Sequence, residues 1–430
     1  MRIKNGIIAG ILGVSLLQGG CFGKKPALLG GGPTGEGKPP AALSEHKTAV
    51  KYVSRIDVLK AGLQLDSLNE NILISPDGKY AVFSGSKVPK GKALAGTEVE
   101  FVSRLVLADL TSGKVKSLDK GQYIRALEWA PDSGRVLYRK DDGLFAADLS
   151  GRKPVKISDR AYCGSISPDG NLIAYAERGK GIFTVKTDGH DKKQVTGEVD
   201  DWYPVWYPDG KNLFYFADRG VALGDGAGRL QGLGLVNVET GKKVTLLPGE
   251  KGKYRRAEWI VPGRSLYINK GWDDGFYELI ADLDKGKITE LGENDGTPYS
   301  PAIDRAGGLV YKVRNDRVSC FDVSGQVVRS FPSGKTVKER SPQDFGYSVS
   351  PDGRMLAYLS GETGANPGSR IKGYKVIVVG SDGNHQKELT KDYGDYHQPV
   401  WTPDGASVVI VETGKGAPRV GRFEIRVLRL

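Results

Sequence analysis

Methionine, cysteine and histidine are scarce in this chain, at two, three and four residues among 430. With so little methionine and few long Ala/Leu/Glu/Lys stretches, a helical protein is not expected. There is no Cys-x-x-Cys, no His-x-x-x-His, no Gly-x-Ser-x-Gly and no phosphate-binding glycine loop. The usual signatures of thiol redox chemistry, helical zinc sites, serine hydrolases and nucleotide binding are therefore missing. Glycine and proline are abundant instead, at 60 and 22 residues, and imply many turns.

The first twenty residues have the layout of an export signal. Arg2 and Lys4 are positive, and Ile7, Ile8, Ala9, Ile11, Leu12, Val14, Leu16 and Leu17 form an apolar stretch. That stretch is roughly 11–14 residues, short of the ~20 that a membrane-spanning helix needs. It ends in Leu17-Gln18-Gly19-Gly20-Cys21. This segment resembles the lipobox of bacterial lipoproteins, with Gln18 as its one departure. The resemblance implies cleavage before Cys21, lipidation of that cysteine, and a firm anchor, because several acyl chains bury many methylenes. Phe22 rather than Asp follows the cysteine, which by the enterobacterial sorting pattern implies the outer membrane. Gly30-Gly31-Gly32-Pro33, Gly35, Gly37, Pro39 and Pro40 then read as a tether. The expected organisation is a signal peptide over 1–20, a lipidated cysteine and tether over 21–45, and one domain over 46–430.

That domain is repetitive. Marker turns occur at Ser75-Pro76-Asp77-Gly78, Ala130-Pro131-Asp132-Ser133, Ser167-Pro168-Asp169-Gly170, Tyr207-Pro208-Asp209-Gly210, Ser350-Pro351-Asp352-Gly353 and Thr402-Pro403-Asp404-Gly405. Degenerate copies stand at Val261-Pro262-Gly263 and Asp304-Arg305-Ala306-Gly307. Proline presets φ, Asp bonds its own backbone and Gly takes positive φ. An apolar or aromatic residue precedes each full marker and a strand-like run follows, such as Leu172-Ile173-Ala174-Tyr175. Further on comes a strand ending in a Gly turn, such as Ala108-Asp109-Leu110-Thr111-Ser112-Gly113. Four strands, A to D, in ~45 residues describe a β-propeller blade.

The pattern W-x-P-D-G-K-x-L-x-Y … D-x-x-T-G resembles the TolB-type (PD40) propeller repeat over about residues 65–430. The resemblance implies an all-β propeller and leaves function open, because such blades serve scaffolds, peptidase domains and lyases. Inner strands are expected near residues 70, 125, 162, 202, 256, 299, 345 and 397. Eight blades follow, or seven if 256–300 is an insertion. The last repeat lacks a fourth strand, and Val53–Leu59 can supply it, closing the ring without an exposed edge.

A site is expected at the channel mouth. Aligned inner strands put Glu70, Arg125, Tyr162, Trp202, Arg256, Tyr299, Phe345 and His397 at equivalent positions. Four aromatics among eight, against 9% in the chain, suit sugar stacking, peptide binding or plugging of the channel. Long B–C loops add Lys87, Lys90, Lys92, Arg370, Lys372, Lys415, Arg419 and Arg422 on the same face as a basic wall. The formal charge of +11, or +9 without Arg2 and Lys4, suits an anionic envelope surface. No nucleic acid is expected at an envelope surface, and no metal or other cofactor is expected, because lyases resembling this repeat hold metal with several channel histidines and only His397 of the four here could face the mouth. Cys163 and Cys320 fall about three blades apart and read as small buried hydrophobes. The expected role is a monomeric, non-enzymatic module binding an envelope protein or anionic glycan. A carbohydrate lyase or hydrolase with its site at the same mouth is the alternative.

Overall fold

The computed structural model describes residues 50–430 apart from 61–62, 64, 66, 69–71, 88–101, 198–200, 223–228, 252, 273–274, 295–300, 315–316, 333–343, 364–370 and 414–422. The export-signal segment, Cys21 and the Gly/Pro-rich stretch lie outside the described residues. Among the described residues the regular structure is all strand, in eight antiparallel sheets, one per repeat. The chain is an eight-bladed β-propeller.

The inner strands of blades 1 to 4 are Ser67–Leu68 with Leu73–Ile74, Ile124–Trp129, Ala161–Ile166 and Trp202–Trp206. Those of blades 5 to 8 are Lys253–Val261, Ala302–Asp304, Asp344–Val349, and Asp395–Tyr396 with Val400–Trp401. The region that could have been an insertion is a full blade, because Ser265–Trp272, Gly275–Asp282 and Lys287–Asn294 complete it. The described inner strand of blade 6 is Ala302–Asp304, close to the expected position near residue 299.

Ring closure uses the predicted N-terminal segment. Arg55–Asp57 pairs antiparallel with Phe423–Arg429, with Ile56 opposite Ile425 and Asp57 opposite Glu424. Val58 N donates to Phe423 O at 3.0 Å and Val427 N to Ser54 O at 3.1 Å. Arg55 also makes an ion pair with Glu424. The outer strand of the last blade therefore comes from the start of the domain.

Turn chemistry works as the repeat implies. In the first marker, Ser75 Oγ donates to Asp77 at 2.6 Å, Lys79 N to Asp77 at 3.0 Å, and Gly78 takes φ 76°. A Cβ on Gly78 would come within 2.8 Å of the Tyr52 hydroxyl, so packing demands glycine there as well. Tyr52 itself reaches Asp404 at 3.4 Å, and Val53 N donates to Leu110 O at 2.9 Å. The domain thus begins at the marker-turn face. Ser133 replaces the marker glycine in blade 2 and holds φ 61°, and its hydroxyl accepts the Asp77 N–H of blade 1 at 3.0 Å.

Packing is circumferential. Buried hydrophobics form eight clusters, each between consecutive blades. Phe83 and Ala108 meet Val409 and Ile425 at the seam, for example, with Tyr52, Ile56 and Val58 from the closing segment. One interblade interface holds a buried ion pair. Lys312 of blade 6 meets Glu278 of blade 5, which also accepts from Tyr267 Oη at 3.0 Å.

Candidate binding site at the channel mouth

D–A and B–C connections share the face opposite the marker turns. Of the eight expected mouth positions, Arg125, Tyr162, Trp202, Arg256 and His397 are described. Glu70 and Tyr299 lie outside the described residues, and Phe345 is placed by backbone alone. Lys90, Lys92, Arg370, Lys415, Arg419 and Arg422 also lie outside them, and Lys87 and Lys372 are placed by backbone alone.

The aromatics divide by role. Tyr162 and Trp202 meet across blades 3 and 4, with ring centroids 6.4 Å apart. Trp202 is wedged into the interblade core, 5.2 Å from Phe216 and 5.9 Å from Tyr203. Tyr203 stacks on Phe216 at 5.4 Å and Phe216 on Tyr254 at 5.1 Å. Most of the Trp202 ring surface is therefore packing, and Tyr162 is the half-buried ring beside it. His397 sits where the blade 8 inner strand breaks, and its N–H donates to Val411 O at 3.0 Å. Blades 8 and 4 face each other across the ring, so His397 and Trp202 do not meet.

Tyr203, which the alignment of strands passed over, is the centre of the described site. Its φ of 57° is left-handed, an uncommon state for a bulky side chain. The inner strand bulges there, between Trp202 and Val205. Burial pushes the Tyr203 phenol up to about 12. Arg256 and Glu258 of blade 5, Cys163 of blade 3 and Arg125 of blade 2 all act on it electrostatically. Groups from four blades converge at this point. The one advance signal was Pro204, whose preceding residue is already restricted.

Each charged group has a definable state. Glu258 is clamped between Arg256 and Arg305, the latter at 3.3 Å. Burial pushes the Cys163 thiol up to about 12, against hydrogen bonds from the Tyr203 and Ala176 backbones, so it is not a thiolate nucleophile. Burial pushes the Glu128 carboxyl up to about 7, opposed by the Ile166 N–H it accepts at 2.9 Å. Among the described residues no group of three or more His, Cys, Asp and Glu is arranged to hold a metal.

No known protein-family model matches this chain, and no curated protein is a significant match. Solved structures do match. Dipeptidyl peptidase 4 of Porphyromonas gingivalis is 16% identical over 85% of this chain and 60% of that one, with a TM-score of 0.54. The chain thus spans about 60% of that peptidase's length. A TolB-type structure from Agrobacterium tumefaciens is 19% identical over 74% and 95%, with a TM-score of 0.38. Oligogalacturonate lyase of Vibrio parahaemolyticus is 12% identical over 83% and 98%, with a TM-score of 0.46. At 16% identity what is shared with the peptidase is the fold, and the chain stands as an eight-bladed β-propeller built from Pro-Asp-Gly repeats.

Proposed function

We propose that this protein is a lipid-anchored component of the bacterial cell envelope, at the outer membrane. Its propeller acts there as a non-enzymatic module that binds an anionic envelope protein or glycan at the D–A/B–C mouth. The observation that carries the binding reading is the convergence on Tyr203 of Arg125 and Arg256 beside the Tyr162–Trp202 pair. Aromatic surface next to a few fixed cationic groups suits recognition of an anion on a larger ligand. Anchoring is supported by Leu17-Gln18-Gly19-Gly20-Cys21. The test is capture of envelope partners by wild type and by Arg256→Gln with Tyr162→Ala. Reduced, salt-sensitive capture at an unchanged melting temperature supports the reading, and unaltered capture overturns it.

A carbohydrate lyase or hydrolase is the second reading, with Glu128, which sits toward the marker-turn end of the blade 2 inner strand rather than at the mouth, as its candidate proton-transfer group. A carboxyl near 7 is poised to donate or accept a proton at neutral pH. Turnover of acidic oligosaccharides that vanishes in Glu128→Gln would establish it.

A further inference from the structure

Tyr203 holds a backbone conformation that its counterpart in blade 7 leaves to glycine. The inner strands of blades 4 and 7 carry the same bulge. Trp202 pairs with Phe216 and Val205 with Phe214, while Phe345 pairs with Leu359 and Ser348 with Ala357. Tyr203 and Gly346 are therefore equivalent residues, and both are left-handed, at φ 57° and 66°. Glycine takes that state without a steric penalty, and a Cβ on Gly346 would press on the Gln398 side chain at 3.3 Å. Blade 4 places a tyrosine there instead, at a conformational cost. The other non-glycine residues at positive φ among the described residues are Ser133, Asp141, Asp191 and His385, all polar and all between strands.

Packing alone does not account for a tyrosine at this position. Its ring does pack, on Phe216 and edge-on to Trp202, but a phenylalanine would pack as well. The Tyr203 hydroxyl makes no hydrogen bond with any described residue, and the side chain is half-buried. Such a hydroxyl is open to a ligand, and burial keeps the phenol protonated, so that it can donate. The strained backbone is tied down from blade 3, where Cys163 accepts the Tyr203 N–H. We propose that Tyr203 is the specificity-determining residue of the mouth, and that its left-handed backbone is kept to direct the phenol hydroxyl to an oxyanion of the ligand, a carboxylate or a sulfate ester. This rests on the reading that the mouth binds an anionic partner. Among the charged groups acting on the phenol Arg256 is the strongest, and its positive sign suits an oxyanion as the acceptor.

The experiment measures binding of the full chain to carboxymethyl-dextran and to dextran sulfate, with neutral dextran as the control, alongside melting temperature. Wild type should hold at least one of the two polyanions above dextran, and the one it holds more tightly identifies the oxyanion. Tyr203→Phe keeps the ring and the backbone and removes only the hydroxyl. It should melt with wild type and bind the polyanion about tenfold more weakly, the weight of one hydrogen bond to a charged group. Tyr203→Gly should melt above Tyr203→Ala, because only a left-handed backbone favours glycine over alanine within a strand. The reverse order overturns the proposal, as does equal polyanion binding by wild type and Tyr203→Phe. A Tyr203→Phe protein that melts well below wild type also overturns it, since the hydroxyl then serves the fold. If Tyr203→Phe binds like wild type while Arg256→Gln is weakened, Tyr203 is excluded and the anionic mouth stands. Binding of neither polyanion overturns this proposal and the wider reading together.

Discussion

The indole N–H of Trp206 donates to the backbone carbonyl of Ser165, 3.2 Å away on the inner strand of the preceding blade. Trp129 does the same to Leu73 at 3.0 Å, and Trp401 to Ser348 at 3.1 Å. Trp259 reaches Trp206 O at 3.0 Å. The tryptophan of the repeat is therefore a strut between blades. It caps a carbonyl on an inner-strand edge that has no further strand to pair with. Trp206→Phe should keep most of the apolar contact and orphan that carbonyl, lowering stability by about 1–3 kcal/mol in a urea melt.

Ring closure can be tested at Ile56, which is buried opposite Ile425. Ile56→Asp sets an unpaired charge into the seam and should cost at least about 3 kcal/mol, or cause aggregation through the freed strand edge. Removal of residues 30–40 should leave the melting temperature unchanged. Equal melting temperatures for the two variants would refute the closing role of this segment.

The Lys312–Glu278 pair lies almost wholly inside the protein, with side-chain exposures of 7% and 3%. Glu278→Leu alone leaves a buried ammonium and should cost about 3–5 kcal/mol. Adding Lys312→Met should recover most of that loss, because an apolar pair of similar volume is tolerated there. Chemical denaturation of the two single variants and the double variant measures the coupling directly.

Glu128 sets a pH dependence. Its carboxyl rises from 4.5 to about 7 on folding, chiefly through burial. The folded protein therefore keeps a proton that the unfolded chain releases. The associated stability is complete below about pH 4.5 and is lost as pH rises through about 7. Glu128→Gln should flatten that slope, by on the order of 2 kcal/mol between about pH 5 and about pH 8. Urea midpoints at the two pH values measure it.

Anchoring has its own test at Cys21. Cys21→Ser should move the protein from the membrane pellet to the soluble envelope fraction. Sedimentation like that of the parent would refute lipidation as the anchor.

Blade number and closure could be read from the sequence because both depend on local turn chemistry and counting. Pro131, Pro168 and Pro208 punctuate the chain where the inner strands of blades 2, 3 and 4 turn back. The missing fourth strand of the last repeat left Val53–Leu59 as the segment to fill it. The site was less legible because it depends on bulges. Counting back from the blade 2 marker sets Arg139 opposite Ala126. The extra residue Leu127 slips the register and brings Arg139 opposite Arg125 instead. The same irregularity turns Tyr203 left-handed and makes it, rather than Trp202, the residue on which charges converge. Trp202 belongs to the hydrophobic packing that any aromatic at an interblade position would join.

Closure by the first strand also governs the order of assembly. Arg55 meets Glu424 across 369 positions of sequence. The opening strand has no partner on its own blade until Phe423–Arg429 is in place. No N-terminal fragment can complete the seam, and loss of Phe423–Arg429 strips Arg55–Asp57 of its partner. Such long-range pairing slows folding and prolongs exposure of a sticky strand. A protein wired this way is only as closed as its two most distant strands, so damage at either one opens the same seam.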